Sequence, residues 1–252
     1  MKRAMLMLPL TIALLTSCDY IANLDKTGNQ DTIYTPLQSI TSIDVQSPCK
    51  LILTNVMNEV AMITGPDFII DGYELTQEGE NLIIRHKQSA YLQKEKMGHI
   101  SIPASLLKSI ALNAPCQVSS NDQTFTSDNL TIVINGKGIY SETDLVLDCQ
   151  SFQLSVFGGI NQSHHQLKGK AKQTGYFIEG CTDIDATELM SQQTSITHRS
   201  NANCRIRCTE TLNAIMYSTG SLYYIGSPQV NIERRETSLM KASGTVLPMT
   251  EQ

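Results

Sequence analysis

The 252-residue chain contains no tryptophan, and charged residues make up only 17% of it. Its 19 basic residues are scattered and outnumbered by 24 acidic ones, whereas binding to nucleic acid needs a basic stripe, so nucleic acid is excluded as a partner. Beyond Leu15, no apolar run approaches the roughly 20 residues of a membrane-spanning helix. The sequence also lacks a Cys-x-x-Cys motif, and its cysteine spacings match no zinc site.

The first residues have the pattern of an export signal. A basic start precedes an apolar run from Ala4 to Leu15, which is too short to cross a bilayer as a folded helix but suits a secretory signal. The run ends in Leu15-Thr16-Ser17-Cys18, which resembles a bacterial lipobox. We therefore predict a lipoprotein signal peptide over residues 1–17 and lipidation of Cys18 with palmitate-type chains. Two or three such chains anchor a protein stably, whereas one is marginal.

The chain contains an internal repeat with a period of about 22 residues. Small residues recur at this spacing after stretches of alternating apolar residues. They are Ala114, Gly136, Gly158, Gly180 and Ala202, with Gly220 in a shorter last unit. The column two residues earlier runs Leu112, Ile134, Val156, Ile178 and Ser200, and the one before it Ile110, Ile132, Leu154, Tyr176 and His198. Alternation predicts strands with one buried face, and its recurrence predicts stacked coils whose small residues are structural corners.

These patterns predict an all-β fold, a single-domain parallel β-solenoid with coils of about 22 residues. The segment before Ile110 is less regular, with a hairpin turn expected at Glu78–Asn81, and is interpreted as N-terminal coils with longer excursions. The solenoid is predicted over residues 36–243. Residues 18–35 lack periodicity and predict a flexible tether after the lipidated cysteine, and 244–252 predict a disordered tail.

Three segments resemble the turns of a known family. They are Asn135-Gly136-Lys137-Gly138-Ile139, Phe157-Gly158-Gly159-Ile160-Asn161, and Tyr217 to Pro228, where a glycine-containing corner precedes a Tyr-x-Gly-x-Pro signature. The family is the head GIN domain of auto-transporter adhesins, found in envelope proteins of Bacteroidetes, and the resemblance covers residues 38–243. Ala114, Cys116, Ala202 and Cys204 stand where glycine is usual. The resemblance implies a β-solenoid envelope protein and brings no known catalytic residues.

Parallel β-solenoids also host carbohydrate lyases and hydrolases, whose sites need clustered carboxylates. Counting in steps of 22 places Glu142 and His164 in one column, and Asp183 and Arg205 in another. Neither column is a stack of three carboxylates. We therefore predict a protein that is not an enzyme, with no catalytic residues.

The most metal-like feature is His164-His165, with Cys208 two coils away in the predicted column of His164. Neighbouring residues of a strand point to opposite faces, so at most one of these histidines could join a site. We predict no metal ligands and no cofactor.

Six cysteines follow Cys18, namely Cys49, Cys116, Cys149, Cys181, Cys204 and Cys208. An exported chain with an even number of cysteines can form disulfides, and small buried thiols are the alternative. The predicted column shared by Cys116 and Cys204 separates them by four coils, too far for a bridge. Cys181 with Cys204, on adjacent coils, is the least unfavourable pair. The sequence leaves open whether any disulfide forms.

Residues between the apolar columns are mainly Ser, Thr, Gln, Asn and Tyr, including Tyr217, Tyr223 and Tyr224. Polar ladders with aromatic residues can bind glycans or a partner protein, and they are equally typical of any solvated β-face. We expect a lipid-anchored adhesin or binding module of the outer membrane, on its surface or its periplasmic face. Two alternatives stay open: a periplasmic scaffold, joined into homo-oligomers through open edges, and a carbohydrate-active enzyme.

Overall fold

The computed structural model describes residues 28–56, 59–87, 97–238 and 241–250. The predicted signal peptide and Cys18 lie outside these ranges. Most described residues are in strands, and the one helix among them, α1 (Asp67–Ile70), has 4 residues. Within the described ranges, no helix is long and apolar enough to cross a membrane.

The strands of the described chain belong to one sheet that winds into a solenoid. In chain order they are β1 (Gln30–Pro36), β2 (Ser42–Val45), β3 (Cys49–Thr54), β4 (Val60–Pro66), β5 (Tyr73–Glu78), β6 (Asn81–His86), β7 (His99–Pro103), β8 (Ser109–Leu112), β9 (Cys116–Ile134), β10 (Glu142–Val156), β11 (Gln162–Ser200), β12 (Cys204–Met216), β13 (Leu222–Ile225), β14 (Gln229–Arg234) and β15 (Val246–Pro248). One continuous apolar core extends through the stack.

The central coils stack in parallel with the predicted spacing. Phe152 of β10 pairs with Leu130 of β9 on one side and with Thr174 of β11 on the other, and both steps equal the period of the sequence repeat. Each strand points alternate residues inward, which accounts for the buried apolar columns. The predicted all-β, parallel β-solenoid with coils of about 22 residues is confirmed, and the stack has about six turns.

The columns predicted beyond Gly180 are wrong. The backbone N–H of Asn201 donates to the carbonyl oxygen of Gly180 at 2.8 Å, which sets Gly180 beside Ser200. The sequence repeat had placed Ala202 there. The predicted last members of the neighbouring columns, Ser200 and His198, are displaced by the same two residues. His198 instead continues the column that had been assigned to Ser200.

The cause of this displacement is a shortening of the coils. Ile184 pairs with Cys204, and Cys204 pairs with Leu222, so the step in residue number falls to 20 and then to 18. On another side of the coil, residues 187–189 of β11 have no counterpart in β12, because the register shifts between Ala186 and Met190. The later coils therefore enclose a smaller cross-section.

The N-terminal coils are continuous with the regular stack. β2 lies between β6 and β8, and β3 lies between β7 and β9, all in parallel. The hairpin predicted at Glu78–Asn81 is confirmed, since these two residues pair at the closed end of the antiparallel strands β5 and β6. A second antiparallel excursion is formed by β4, which pairs with β7 and β1.

Two segments predicted to lack structure contain strands. β1 includes residues 30–35 of the predicted flexible tether and pairs with β4 along its whole length. β15 lies in the predicted disordered tail and pairs in parallel with β13. Both predictions are wrong for these residues, because an open strand edge offers backbone hydrogen bonds to a segment whose own sequence pattern is weak.

Candidate ligand-binding groove

One side of the solenoid carries outward columns of polar and charged residues, and we call it the charged side. In its first column, Lys50 pairs with Gln117, Gln117 with Glu142, and Glu142 with His164. The next column begins with one apolar residue, Ile52, and continues with Ser119, Asp144 and Gln166. Because like positions stack about 4.8 Å apart, side chains from four coils form one continuous surface.

A groove of about 420 Å³ lies on the charged side. Its polar lining consists of Lys50, His99, Gln117, Ser119, Asn121, Glu142, Thr143, Asp144, His164 and Gln166. One wall is a bulge of β9, where the pairing with β10 shifts from Ser119 to Thr124 across the step from Asp144 to Val146. Asn121 has a φ of 50° there, a left-handed conformation that asparagine tolerates. The bulge contributes Asn121 to the lining of the groove.

Two side-chain pairs order the groove. Gln117 Nε2 donates to Glu142 Oε2 at 2.7 Å, which fixes the outward carboxylate. His164 Nδ1 lies 2.6 Å from Asp183 Oδ2, and the pair is ionic when the imidazole is protonated. Both pairs link adjacent coils, so the stacking itself positions these groups.

The groove presents both hydrogen-bond donors and acceptors. Lys50 supplies a cationic donor, and the exposed carboxylate of Asp144 supplies acceptors. Burial, and then the neighbouring charge of Lys50, lower the pKa of His99, so this imidazole is neutral at neutral pH. Such a lining suits a polar ligand with many hydroxyl groups better than an apolar one.

The structure keeps one of the two pairs of charged residues that the sequence had grouped and breaks the other. Glu142 and His164 are in-register neighbours, as predicted. Asp183 lies against His164 of the preceding coil. Its predicted pairing with Arg205 in the following coil is wrong, because β11 and β12 are offset there by 20 residues and not by 22. Arg205 pairs with Asp185 instead, with 3.9 Å between Nη1 and Oδ2.

The predicted His164-His165 geometry is observed, with the two rings on opposite faces. His165 points into the solenoid, where its Nδ1 lies 3.1 Å from Thr143 Oγ1 and burial lowers its pKa to about 3. Cys208 pairs with Ser191, so its predicted position in the column of His164 is wrong. No three His, Cys, Asp or Glu side chains within the described ranges are grouped so as to hold a metal ion.

The three tyrosines named in the sequence occupy different surfaces. Tyr223 is on the charged side, in register with Arg205. Tyr224 packs against the core. Tyr217 lies at a corner, where the guanidinium of Arg199 is 5.1 Å from its ring centroid. They therefore do not form one aromatic binding surface.

Another side of the same coils carries columns of uncharged polar residues, and we call it the amide side. Its outward columns include Ser151, Gln153, Gln173, Gln193, Asn213 and Asn231. Asn231 Nδ2 donates to Asn213 Oδ1 at 2.9 Å, and Gln173 Nε2 donates to Gln193 Oε1 at 3.4 Å. These residues are hydrophilic like those of the charged side, but they carry no charge and none of them lines the groove.

A second concavity of about 420 Å³ lies at a corner of the later coils. Arg199 there forms an ion pair with Glu179 at 3.1 Å. The Asn201 Oδ1 atom accepts hydrogen bonds from Ser218 at 2.6 Å and Thr219 at 3.1 Å. These polar groups are largely hydrogen-bonded or ion-paired with one another, so this concavity is a weaker candidate for a ligand-binding site than the groove.

The predicted corner residues differ in how tightly they are enclosed. Gly158 and Gly180 have φ values of 111° and 72°, which favour glycine. A Cβ atom on Gly220 would overlap the carbonyl oxygens of Ala202 and Ser200, whereas one on Gly136 would meet nothing within 4 Å. Ala114, the first predicted corner, is 6% exposed. The close approach of backbones therefore varies from corner to corner.

The six described cysteines are free thiols in the structure. Cys181 is exposed and Cys204 is buried, so the pair favoured by the sequence faces opposite sides of the wall. The predicted column of Cys116 and Cys204 is also wrong, because Cys204 lies between Ile184 and Leu222. Nothing in the repeat indicated that Cys49 and Cys116 would meet, although the two segments Ser47-Pro48-Cys49 and Ala114-Pro115-Cys116 are similar.

Comparison with known proteins gives one family and several solved structures. Residues 39–228 match the family model described as "Putative auto-transporter adhesin, head GIN domain". No curated protein matches. A crystal structure described as a putative adhesin from Bacteroides fragilis has a TM-score of 0.71 at 19% identity, over 88% of this chain and 97% of that chain.

Two structures from Parabacteroides distasonis are also similar. One is described as a putative adhesin, with a TM-score of 0.65 at 16% identity, over 88% of this chain and 98% of that chain. The other is described as a putative lipid binding protein, with a TM-score of 0.60 at 13% identity and the same shares of each chain. At these identities the likeness shows the fold.

Proposed function

The chain belongs to the head GIN domain family of auto-transporter adhesins, and we propose that it is a lipid-anchored envelope adhesin that binds a hydroxyl-rich ligand, such as a glycan, in the groove of the charged side. Anchoring is through Cys18. The ligand is bound without chemical change.

The observation that carries this proposal is the convergence of polar side chains from successive coils in one concave site. Carboxylates, amides, a lysine and a neutral imidazole together match the donors and acceptors of a sugar ring. Apolar ligands such as lipid chains favour pockets lined mainly by hydrophobic side chains. The groove therefore supports a glycan over the lipid suggested by the description of one structural relative.

Protease treatment of intact cells tests the location. We expect rapid loss of the mature chain from whole cells, and release of a Cys18→Ala variant from the membrane fraction. A chain that is protected until the outer membrane is broken contradicts surface adhesion and favours the periplasmic scaffold.

Binding to a panel of purified bacterial and host polysaccharides tests the groove. We expect Asp144→Asn combined with Gln166→Ala to weaken binding at least about tenfold, the equivalent of about 1.4 kcal/mol. The matched control is Gln153→Ala combined with Asn213→Ala on the amide side, which should bind like the parent. Equal loss in both variants, or none in either, contradicts the groove as the site. Appearance of shortened polysaccharide during incubation contradicts binding without chemistry.

A further inference from the structure

Two buried thiols face each other directly beneath the groove. Cys49 opens β3, Cys116 opens β9, and the two residues are in-register partners of parallel strands. Their sulfur atoms are 3.7 Å apart, and the residues are 0% and 1% exposed. Both residues follow a proline at equivalent corners, so the two coils approach this position with the same backbone path.

The strand geometry fits a covalent bond between these residues. In-register residues of neighbouring strands have Cα atoms about 4.8 Å apart, within the 4.4–6.8 Å range usual for disulfides. The facing sulfurs, 3.7 Å apart, must approach to the roughly 2.05 Å of a disulfide bond. Of the cysteines in the described ranges, the other three buried ones do not pair with a cysteine. Cys149 pairs with Ser127 and Ala171, Cys204 with Ile184 and Leu222, and Cys208 with Ser191.

We propose that Cys49 and Cys116 form a disulfide in the exported protein. The bond forms by exchange with a disulfide carried by a protein or small-molecule oxidant. One cysteine loses its proton and attacks this disulfide, releasing one thiol of the oxidant. The second cysteine then displaces the other thiol, so the oxidant is reduced to two thiols and the sulfur–sulfur bond is retained in the protein.

The bond must form before the two coils are fully stacked. The reactive species is the thiolate, and the hydrogen bond with Cys116 together with burial raises the pKa of the Cys49 thiol. In the folded chain, neither thiol is accessible to an oxidant in solution, since both residues are buried. Once made, the bond is shielded from reductants for the same reasons.

The disulfide would join the irregular N-terminal coil to the first regular one. The chain between the two cysteines includes the hairpin and the antiparallel excursion of β4. The next residues, Lys50 and Gln117, point outward and line the groove. The bond would therefore hold these two neighbouring parts of the groove in register across a long loop.

Thiol counting on the mature chain, isolated from an oxidising compartment, tests the proposal. We expect four of the six thiols to react with an alkylating reagent in denaturant, and all six after reduction. Tryptic digestion without reductant should give one linked pair of peptides, 27–50 and 109–137, each with a single cysteine. Six reactive thiols, or a linkage between other cysteines, overturns the proposal.

A melting experiment gives an independent readout. Closing a loop of this length is expected to raise the melting temperature by on the order of 10 °C, and that gain should disappear when the protein is unfolded and refolded with reductant. A Cys49→Ala/Cys116→Ala variant should not respond to reductant, whereas a Cys149→Ala/Cys204→Ala control should respond like the parent. A reductant response that persists in the first variant contradicts the assignment. Glycan binding is not needed for either readout, so this proposal can fail or succeed separately from the proposed function.

Discussion

Before Ile134 the inward side chains are almost all apolar, whereas beyond Tyr140 hydroxyl groups and two histidines share the interior with them. Among the described residues, Ser120 is the single buried polar residue of the earlier part. The later part has Ser141, Thr143, Asn161, Ser163, His165, Thr174, Thr182, Ser191, Thr194, His198, Ser200 and Ser218. The later part is also where the coils shorten.

The comparison teaches how a solenoid tolerates a polar interior. Because equivalent positions stack, an inward hydroxyl meets another polar group in the next coil. Ser163 and Thr182 oxygens are 2.9 Å apart, and Thr174 and Thr194 oxygens are 2.8 Å apart. Pairing removes most of the cost of burying these groups.

Hydrogen bonds do not fully offset the cost of burying the two histidines. His165 Nε2 and both ring nitrogens of His198 are buried without a hydrogen-bond partner. Each such group carries a desolvation cost on the order of 1–3 kcal/mol. We therefore expect the later coils to be the weaker part of the stack, and four predictions test this comparison.

The largest effect is expected at a corner of the later part. Gly220→Ala should abolish stable folding, because the new Cβ would overlap two backbone carbonyl oxygens that cannot move independently. Gly136→Ala, at the corner between the two parts with open space around it, should change the free energy of unfolding by less than about 0.5 kcal/mol. Chemical denaturation of both variants measures the difference, and similar behaviour contradicts the assigned corners.

Acid should destabilise the later coils. Burial lowers the pKa of His198 from 6.5 to about 4 and that of His165 to about 3. The unfolded chain therefore binds protons more readily, so stability present above pH 6.5 is lost as the pH falls towards these values. By pH 5 the loss should be about 2 kcal/mol for each histidine.

Denaturation curves at pH 7 and 5 measure this loss. The His165→Leu/His198→Leu variant should lose much less stability between the two pH values than the parent. Amide exchange should increase first in the later coils of the parent protein. If acid opens the earlier coils first, the later part is not the weaker one.

Truncation in the apolar interior should cost more than removal of an inward hydroxyl. Ile132→Ala should lower the free energy of unfolding by about 3 kcal/mol, because it leaves a cavity at a fully buried position. Thr174→Val should cost about 1 kcal/mol, since Thr194 keeps its contact with Ser191 at 2.7 Å. Thermal melting compares the two, and a larger loss for Thr174→Val would reverse the proposed ranking of apolar and polar contacts.

The smallest effect on stability is expected outside the core. Asp183→Asn removes an exposed ion pair with His164 and should change the free energy of unfolding by less than about 1 kcal/mol. A larger change, measured by urea denaturation, would mean that the charged side stabilises the stack rather than merely lining the groove.

The sequence predicted the solenoid because its signal is local and repeated. Apolar alternation fixed which residues of β9 and β10 point inward, and the recurrence of Gly136 and Gly158 fixed the coil length. The pairing of Glu142 with His164 at the groove followed from the same count. Prediction failed where the coil length changed, so that Asp183 was paired with Arg205 and Cys208 was placed beside the histidines.

The groove itself could not be predicted from the sequence. Its wall depends on extra residues in β9 around Asn121, which lie in a polar stretch without a distinctive pattern. The contact between Cys49 and Cys116 could not be predicted from the sequence for a related reason, because two excursions of irregular length separate the two residues. A constant period in residue number cannot be extended across segments of irregular length.

What the sequence determined alone is which alternate residues of a strand share a face, and the class of fold that this alternation allows. What the tertiary structure decided is which residues lie beside one another in successive coils. The physical reason is the period of two in a strand. A slip of one residue exposes the apolar face and is strongly penalised, whereas a slip of two preserves the inward and outward faces. Only the packing of whole coils, with their bulges and shortened sides, selects the register between successive coils.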